Sequence, residues 1–465
     1  MSNPKVAIVI VNWNKKDFIL NLLKSLEELN YDNYEIIVVD NASTDGSAEA
    51  IREAFPYVTL IINKENLGGT GGFNTGMRYA IENKDCKYIW LLDNDAEIEK
   101  DTLVALVNTM ETDEQIGIAG SRMVCKDTKI TLECGAYVNR NSIGVTPCFR
   151  NLKMIPSSKL VEADYVAACS ALVRTKALST VGLMDERFFL HWDDIDWGLT
   201  FKNKGYKVVA VPNSVVYHPS FTEIDRGLIT HLYYDVRNPL LTYAKQFKGI
   251  SLMKPSYNYF RYFFEGTIFL YLSGDKGKVL ILVNALKDFF KERWGSFSRW
   301  HTFKKVVKKD DGTKQDIKDL IGGTSKILII GLNATKGELR ELRNKFGDLT
   351  QEITLLIQDD RTEYYRDDFR IVIPYNKEKG TSLIYNILLF ANLFFSGYDI
   401  SVSTGYNPFL LTAKKRYTYT EHSFVEIAHK VNFFTLIAST LLGEVCALVL
   451  TPLFLWKSRK LRRET

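Results

Sequence analysis

The stretch YIWLLDNDAEI runs from Tyr88 to Ile98. Its first five residues are of the kind that fill a strand buried on both faces. It then reaches Asp93-Asn94-Asp95, which sets two carboxylates one residue apart. Like charges that close repel unless positive charge lies between them. Carboxylate oxygens at a strand tip suit Mg²⁺ or Mn²⁺, above all where a diphosphate brings further oxygens. Asp and Asn also favour turns and helix caps, so the triplet alone leaves both readings open.

Outward from this stretch the same rhythm repeats. VAIVIVN, YEIIVVD and VTLIIN read as strands, each followed by a stretch with apolar residues at helical spacing (FILNLLKSLEEL, SAEAIREAF, GFNTGMRYAIEN). Strand-helix alternation predicts an α/β fold with a mostly parallel sheet flanked by helices. Such sheets bind ligands beyond the carboxyl ends of their strands. Asn12, Asp40, the segment Asn66–Gly72 and Asp93–Asp95 all fall at such ends.

Domain boundaries are expected at 1–245 for this α/β domain, 246–324 for a helical and linker region, 325–428 for a second small α/β domain and 429–465 for a terminal apolar helix. KILIIGL, EITLLIQ, FRIVIPY, DISVSTG and RYTYTE are the strand candidates of the second domain. KKVVKKDDGTKQD reads as a solvated linker. Within SYNYFRYFFEGTIFLYLSG, Arg261 and Glu265 stand at i,i+4 and can pair.

The net charge of +5 gives no ground for a nucleic-acid partner. The six cysteines are scattered, without a CxxC pair, which fits a reduced compartment and no structural zinc. The sequence has no G-x-S-x-G, no H-E-x-x-H and no G-x-x-x-x-G-K-[ST].

Three further segments carry candidate chemistry. VVDNAST ends a strand with Asp40, a carboxylate able to accept hydrogen bonds from a ribose or base, while Ser43 or Thr44 could cap the next helix. ENLGGTGGFNTGMRYA holds Asn66, Gly69, Gly71, Gly72 and Asn74, and glycines there would let the backbone approach phosphates. Its GTGGFN fails the dinucleotide fingerprint at the third glycine, where Asn74 stands. FFLHWDDIDWGLTFKNKGYKVVAVPNSVVYH places Asp193, Asp194 and Asp196 at a helix start, where acids offset the helix dipole. Trp192 and Trp197 beside them, with Asp193, read as a platform for a sugar face. His218 ends a strand-like run, and a neutral imidazole accepts Mn²⁺. Arg237, in YYDVRNPLL, reads equally as a phosphate or acceptor contact or as a buried ion-pair partner.

Taken together and in this order, VAIVIVNWN, VVDNASTDGS, NLGGTGGFNTG, LLDNDAEIE and HWDDIDWGL…KGYKVV…VVYH resemble the family 2 glycosyltransferases of GT-A fold, over about Lys5 to Lys245. NLGGTGGFN with WDDIDWGL is most similar to the galactofuranosyltransferase branch, with rhamnosyltransferases as neighbours. The resemblance implies a UDP- or dTDP-linked sugar donor read by Asp40 and the glycine segment. It implies a DxD pair, Asp93 and Asp95, with Asp95 on a Mn²⁺ or Mg²⁺ ion and His218 as a further ligand. Asn94 departs from the all-acid triplet of some galactofuranosyl enzymes. Asp194 would be the catalytic base of a single, inverting displacement, and an ordinary Asp pKa near 4 would leave it ionised at neutral pH. The alternative is a non-catalytic nucleotide-sugar-binding subunit of a polysaccharide assembly complex.

The run from Phe433 to Trp456 carries one charge, Glu444, and KSRKLRR follows it. A bilayer span needs about 20 such residues, and a basic flank would lie on the cytoplasmic side. A buried helix or a homo-oligomer contact fits the same composition. Membrane attachment on the cytoplasmic face is expected, and it suits a glycan or lipid-linked acceptor.

Overall fold

The computed structural model describes residues 3–126, 129–150, 152–153, 155, 159–218, 229–272, 276–297 and, in shorter pieces, the chain between 326 and 462. The linker expected at 304–316 lies outside the described residues. Two compact units form: one from residues 1–256, 281–298 and 452–465, the other from 257–280 and 299–451. The helical region expected at 246–324 is thus divided between them.

The first unit opens with β1 (Val6–Asn12), α1 (Lys16–Leu26), β2 (Tyr34–Asp40), α2 (Ser47–Ala54), β3 (Thr59–Ile62), α3 (Gly68–Asn83) and β4 (Tyr88–Asp93). After β5 (Glu97–Ile98) and α4 (Thr102–Thr112) come β6 (Ile116–Cys125), β7 (Thr131–Glu133), β8 (Ala136–Val138), β9 (Val145–Pro147), β10 (Val161–Glu162) and β11 (Ser170–Arg174). The short α5 (Leu178–Val181), then α6 (Asp193–Asn203), β12 (Lys207–His218) and α7 (Ile229–Gln246) follow. The main sheet runs β10-β12-β6-β11-β4-β1-β2-β3. Neighbours are parallel throughout β4-β1-β2-β3 and in β6-β12, whereas β11 runs antiparallel between β4 and β6.

Residues 6–10 of β1 are fully buried because both faces of the sheet are covered. The period of two divides them. Val6, Ile8 and Ile10 join the core that includes Leu22 and Leu23 of α1 and Leu103 and Leu106 of α4. Ala7 and Val9 join the opposite core with Phe73 and Met77 of α3 and Trp197 and Phe201 of α6. A Cβ at Gly76 would lie 2.2 Å from Val9 Cγ1, so only glycine lets α3 lie this close to the sheet.

Register then fixes the site. Asn12 pairs with Asp40, and Val11 with Asp93, so three strands end in polar residues along one line. Strand β11 begins at Ser170 opposite Leu92, which brings the turn before it to the same edge. β12 slips register against β6 between Val211 and Val215, then runs on past β5 (Tyr217 opposite Glu97), and this carries His218 toward the tip of β4.

The second unit contains β13 (Lys326–Ile330), β14 (Glu352–Gln358), β15 (Ile371–Tyr375), β16 (Ile400–Ser403), β17 (Lys415–Thr420) and β18 (Ser423–Glu426), in the order β15-β14-β13-β16-β17-β18. All pairs are parallel except β17-β18. Every strand candidate of the second domain is a strand. Its core gathers Ile327, Ile329, Leu355 and Val402 with Leu339, Leu342 and Phe346.

Candidate functional site

Asp93, Asp95 and His218 meet at the strand tips. One ligand atom from each lies within 4.8 Å of the others, and His218 Nε2 is 3.3 Å from Asp95 Oδ1. His218 is buried, with Asp93 and Asp95 half-buried beside it. Burial raises the Asp93 carboxyl, and the charge of Asp95 raises it further. Burial also opposes charge on Asp95, but the hydrogen bond and charge of His218 outweigh this and lower its pKa. Two hard carboxylates and an imidazole, mutually strained in charge, form a donor set that fits Mn²⁺ or Mg²⁺.

A chain of amides ties this cluster to the neighbouring strand. Asn94 Nδ2 donates to Asn12 Oδ1 at 2.8 Å, and Asn12 Nδ2 donates to Asp40 Oδ2 at 3.2 Å. Asp40 Oδ1 accepts from the Ser43 amide at 2.8 Å. Ser43 does not cap α2; its Oγ accepts the amide of Asn14, and Asp45 takes the Ser47 amide instead. Asp45 reaches it because the left-handed Gly46 stands between strand and helix.

The glycine segment is largely helix rather than loop, since α3 begins at Gly68 (φ +73°). Asn66 Oδ1 accepts the Gly68 amide at 2.8 Å and orders the entry. Gly71 and Gly72 lie in the first turns, where a Cβ would meet Leu67 Cβ at 2.6 Å and Val11 Cγ1 at 2.5 Å. Their lack of side chains therefore serves packing. Gly69 alone of the three has room, with the nearest neighbour 3.9 Å away. Asn74 is buried, and its amide bonds Met184 O at 2.8 Å and Glu186.

The turn that leads into the acid-rich start of α6 is held from below. Phe189, His191 and Trp192 all have φ between 63° and 69°, an uncommon state for bulky residues. Arg237, fully buried, donates to the carbonyls of Phe188 at 2.9 Å, Arg187 at 3.1 Å and Gly295 at 2.8 Å. Asn238 Nδ2 donates to Leu190 O at 2.7 Å and His191 O at 2.8 Å. Arg237 thus acts as a backbone clamp, neither a phosphate contact nor a carboxylate's partner in these bonds.

The clamp presents Asp193 and Asp194. Thr70 Oγ1 donates to Asp193 Oδ2 at 2.7 Å, which joins α6 to α3. Asp194 Oδ2 faces the Ala168 amide at 3.3 Å in the turn before β11. Burial, then the charges of Asp193 and Glu133, push the Asp194 carboxyl up to about 8. The ordinary pKa expected from sequence is corrected accordingly. Asp196 points away and bonds Lys245 at 2.6 Å. Trp192 is half-buried, its ring 6.4 Å from Tyr243. Trp197 is no sugar platform: it is buried, its Nε1 donates to Gly182 O at 3.0 Å, and its ring packs edge-on to Phe201.

Glu133 is a site residue that the sequence did not announce. Its Oε2 accepts from Tyr165 at 2.9 Å, while Oε1 is buried without a hydrogen-bond partner among the described residues. Burial pushes its carboxyl up to about 7. An acid on the buried side of the short β7 was the only signal available.

With this geometry in place, the model of glycosyl transferase family 2 matches residues 7–178. This segment is a family 2 glycosyl transferase domain. The chain is 24% identical over 381 residues to galactofuranosyltransferase GlfT2 of Mycolicibacterium smegmatis, covering 73% of this chain and 58% of that protein. It is 24% identical over 266 residues to the N-acetylglucosaminyl-diphospho-decaprenol L-rhamnosyltransferase of Mycobacterium tuberculosis, covering 52% and 85%. Among solved structures, a mannosyltransferase from Pyrobaculum calidifontis in complex with GDP-Man and Mn²⁺ overlays with a TM-score of 0.39 at 19% identity, covering 52% and 64%. At that score the overlay is too loose to bear on the site. The same sheet continues past the matched region through α6, which carries Asp194, and β12, which ends at His218.

Proposed function

We propose that the chain is a metal-dependent, inverting glycosyltransferase that moves a sugar of the galactofuranose or rhamnose class from a UDP- or dTDP-linked donor. The acceptor would be a glycan or lipid-linked saccharide of a cell-surface polysaccharide, met on the cytoplasmic face of the membrane. The convergence of Asp93, Asp95 and His218 within 4.8 Å at the carboxyl edge carries this reading. A Mn²⁺ or Mg²⁺ ion held by these three residues would supply the positive charge that a departing nucleoside diphosphate requires. Asp40 and Asn12 form a polar floor suited to the nucleoside. Asp194 accepts the acceptor hydroxyl's proton as that oxygen bonds to the anomeric carbon and the bond to the diphosphate breaks. One displacement on one face inverts the anomeric centre, and no covalent partner carboxylate is needed.

The test is calorimetric binding of a panel of UDP- and dTDP-sugars with Mn²⁺ or with EDTA. Wild type should bind one donor class with Mn²⁺ and lose most of that affinity in EDTA. Asp95→Asn should bind weakly in both conditions. Donor affinity indifferent to EDTA and to the substitution would overturn the metal assignment.

A further inference from the structure

The terminal helix α8 (Phe433–Leu461) is built inside out. Its inward face carries Ser439, Thr440, Ala447, Thr451, Phe454 and Ser458, all buried. Its outward face carries Leu441, Leu442, Val445, Leu448, Leu453 and Trp456, with Leu448 64% and Trp456 65% exposed. Steps of three and four residues place the outward set on one side. A helix on a water-soluble protein has the opposite arrangement. Small and polar residues inward with large aliphatic ones outward is the pattern that lipid selects. The one internal carboxylate, Glu444, is taken up by Arg261 at 3.0 Å and by the Tyr257 hydroxyl. Glu265 accepts from Thr440 at 3.1 Å and also feels the charge of Arg261, four residues before it. Along the outward face, Trp456 is followed by exposed Arg459 and Lys460, the order of an aromatic and cationic edge at a headgroup layer.

Length alone would allow the helix to cross a bilayer, but the chain's connections oppose it. Near its end, Lys457 and Lys460 pair with Glu292, and Phe454 stacks near Phe289 at 5.7 Å. A crossing would therefore put residues 292 and 432 on opposite sides, so the chain between them would have to cross as well. Residues 299–325 contain eleven Lys, Arg, Asp or Glu side chains, and a charge at mid-bilayer costs roughly 2.5–3.5 kcal/mol each. The remainder up to 426 includes the six strands of one hydrogen-bonded sheet, β13–β18.

We propose that α8 lies in the plane of an acidic phospholipid surface, its Leu441–Trp456 face sunk into one leaflet, without spanning it. This gives the membrane attachment invoked above a specific surface, yet it uses none of the transfer residues, so vesicle binding and donor binding can fail separately. Full-length protein should float with vesicles of equimolar phosphatidylglycerol and phosphatidylcholine. The double variant Val445→Asp/Leu448→Asp alters two exposed residues and should keep its melting curve and donor binding. It should lose vesicle affinity by on the order of a hundredfold. In a chain freed of its native cysteines, Asn432→Cys and Glu464→Cys should both react with a membrane-impermeant maleimide from the same side of sealed membranes. A wild type that does not float, a double variant that floats unchanged, or labelling from opposite sides would each overturn the proposal.

Discussion

Replacing Asp194 by Asn tests the chemistry at its most exposed point. The carboxyl is pushed up to about 8 by burial and by Asp193 and Glu133. At pH 7 the ratio of ionised to protonated carboxyl is then 10 to the power (7 − 8), which leaves roughly a tenth of the enzyme ionised. On the proposed mechanism only that fraction can take a proton from the acceptor. Wild-type kcat/KM should therefore rise about tenfold per pH unit below pH 8 and level off above it. A carboxyl with its pKa raised on folding contributes stability at low pH that is lost as pH rises from about 4 through about 8. Asp194→Asn lacks that loss and should gain relative stability over the same window. Loss of a positioned base should lower kcat by about 10² to 10⁴ and flatten the acidic limb, while donor affinity changes little. Initial rates of nucleotide release between pH 5.5 and 9.5, with urea unfolding in parallel, measure all of this. A variant that keeps the wild-type acidic limb, or a wild type already level at pH 6, would refute the reasoning.

Two other substitutions separate site from scaffold. Glu133→Gln keeps an acceptor for Tyr165 but cannot ionise. The wild type should lose stability between about pH 4.5 and pH 7, by on the order of 3 kcal/mol in total, and the variant should not, as read from urea midpoints. Trp197→Ala should cost about 3–5 kcal/mol in unfolding free energy, with acceptor KM unchanged at a temperature where the variant is folded; a raised KM would return the ring to the acceptor site.

Strands β1 to β4 and β13 to β17 were legible because each is a short run of strand-forming residues bounded by turn residues, a signal local to the chain, whereas β6 and β11 in the middle of the first sheet were not read. The DND triplet was legible for the same reason, standing at the end of a run too apolar to be a loop. What was hidden depended on partners far away in sequence. Trp197 looks the same in sequence whether it faces a sugar or Phe201. Gly71 and Gly72 look alike as a phosphate loop or as room for Val11 and Leu67. Nothing local distinguishes an Arg237 that holds four backbone carbonyls from one that waits for a phosphate. The pKa of Asp194 was misjudged because burial and a nearby Glu133, 61 positions away, are properties of the folded cleft.

The first unit is closed by residues 452–465, which return to it after the second sheet. Phe454 covers Phe289, and Arg462 Nη1 reaches the carbonyls of Ala244 and Phe247 at 2.6 Å and 2.7 Å. A ribosome that has already released residues 1–298 has still not supplied the piece that seals them. Throughout translation of the second sheet the first unit must wait with an open seam, a state in which exposed apolar surface invites misassembly. Sealing of the first unit therefore waits on residues 452–465, whose contacts form only after the whole second sheet has been made.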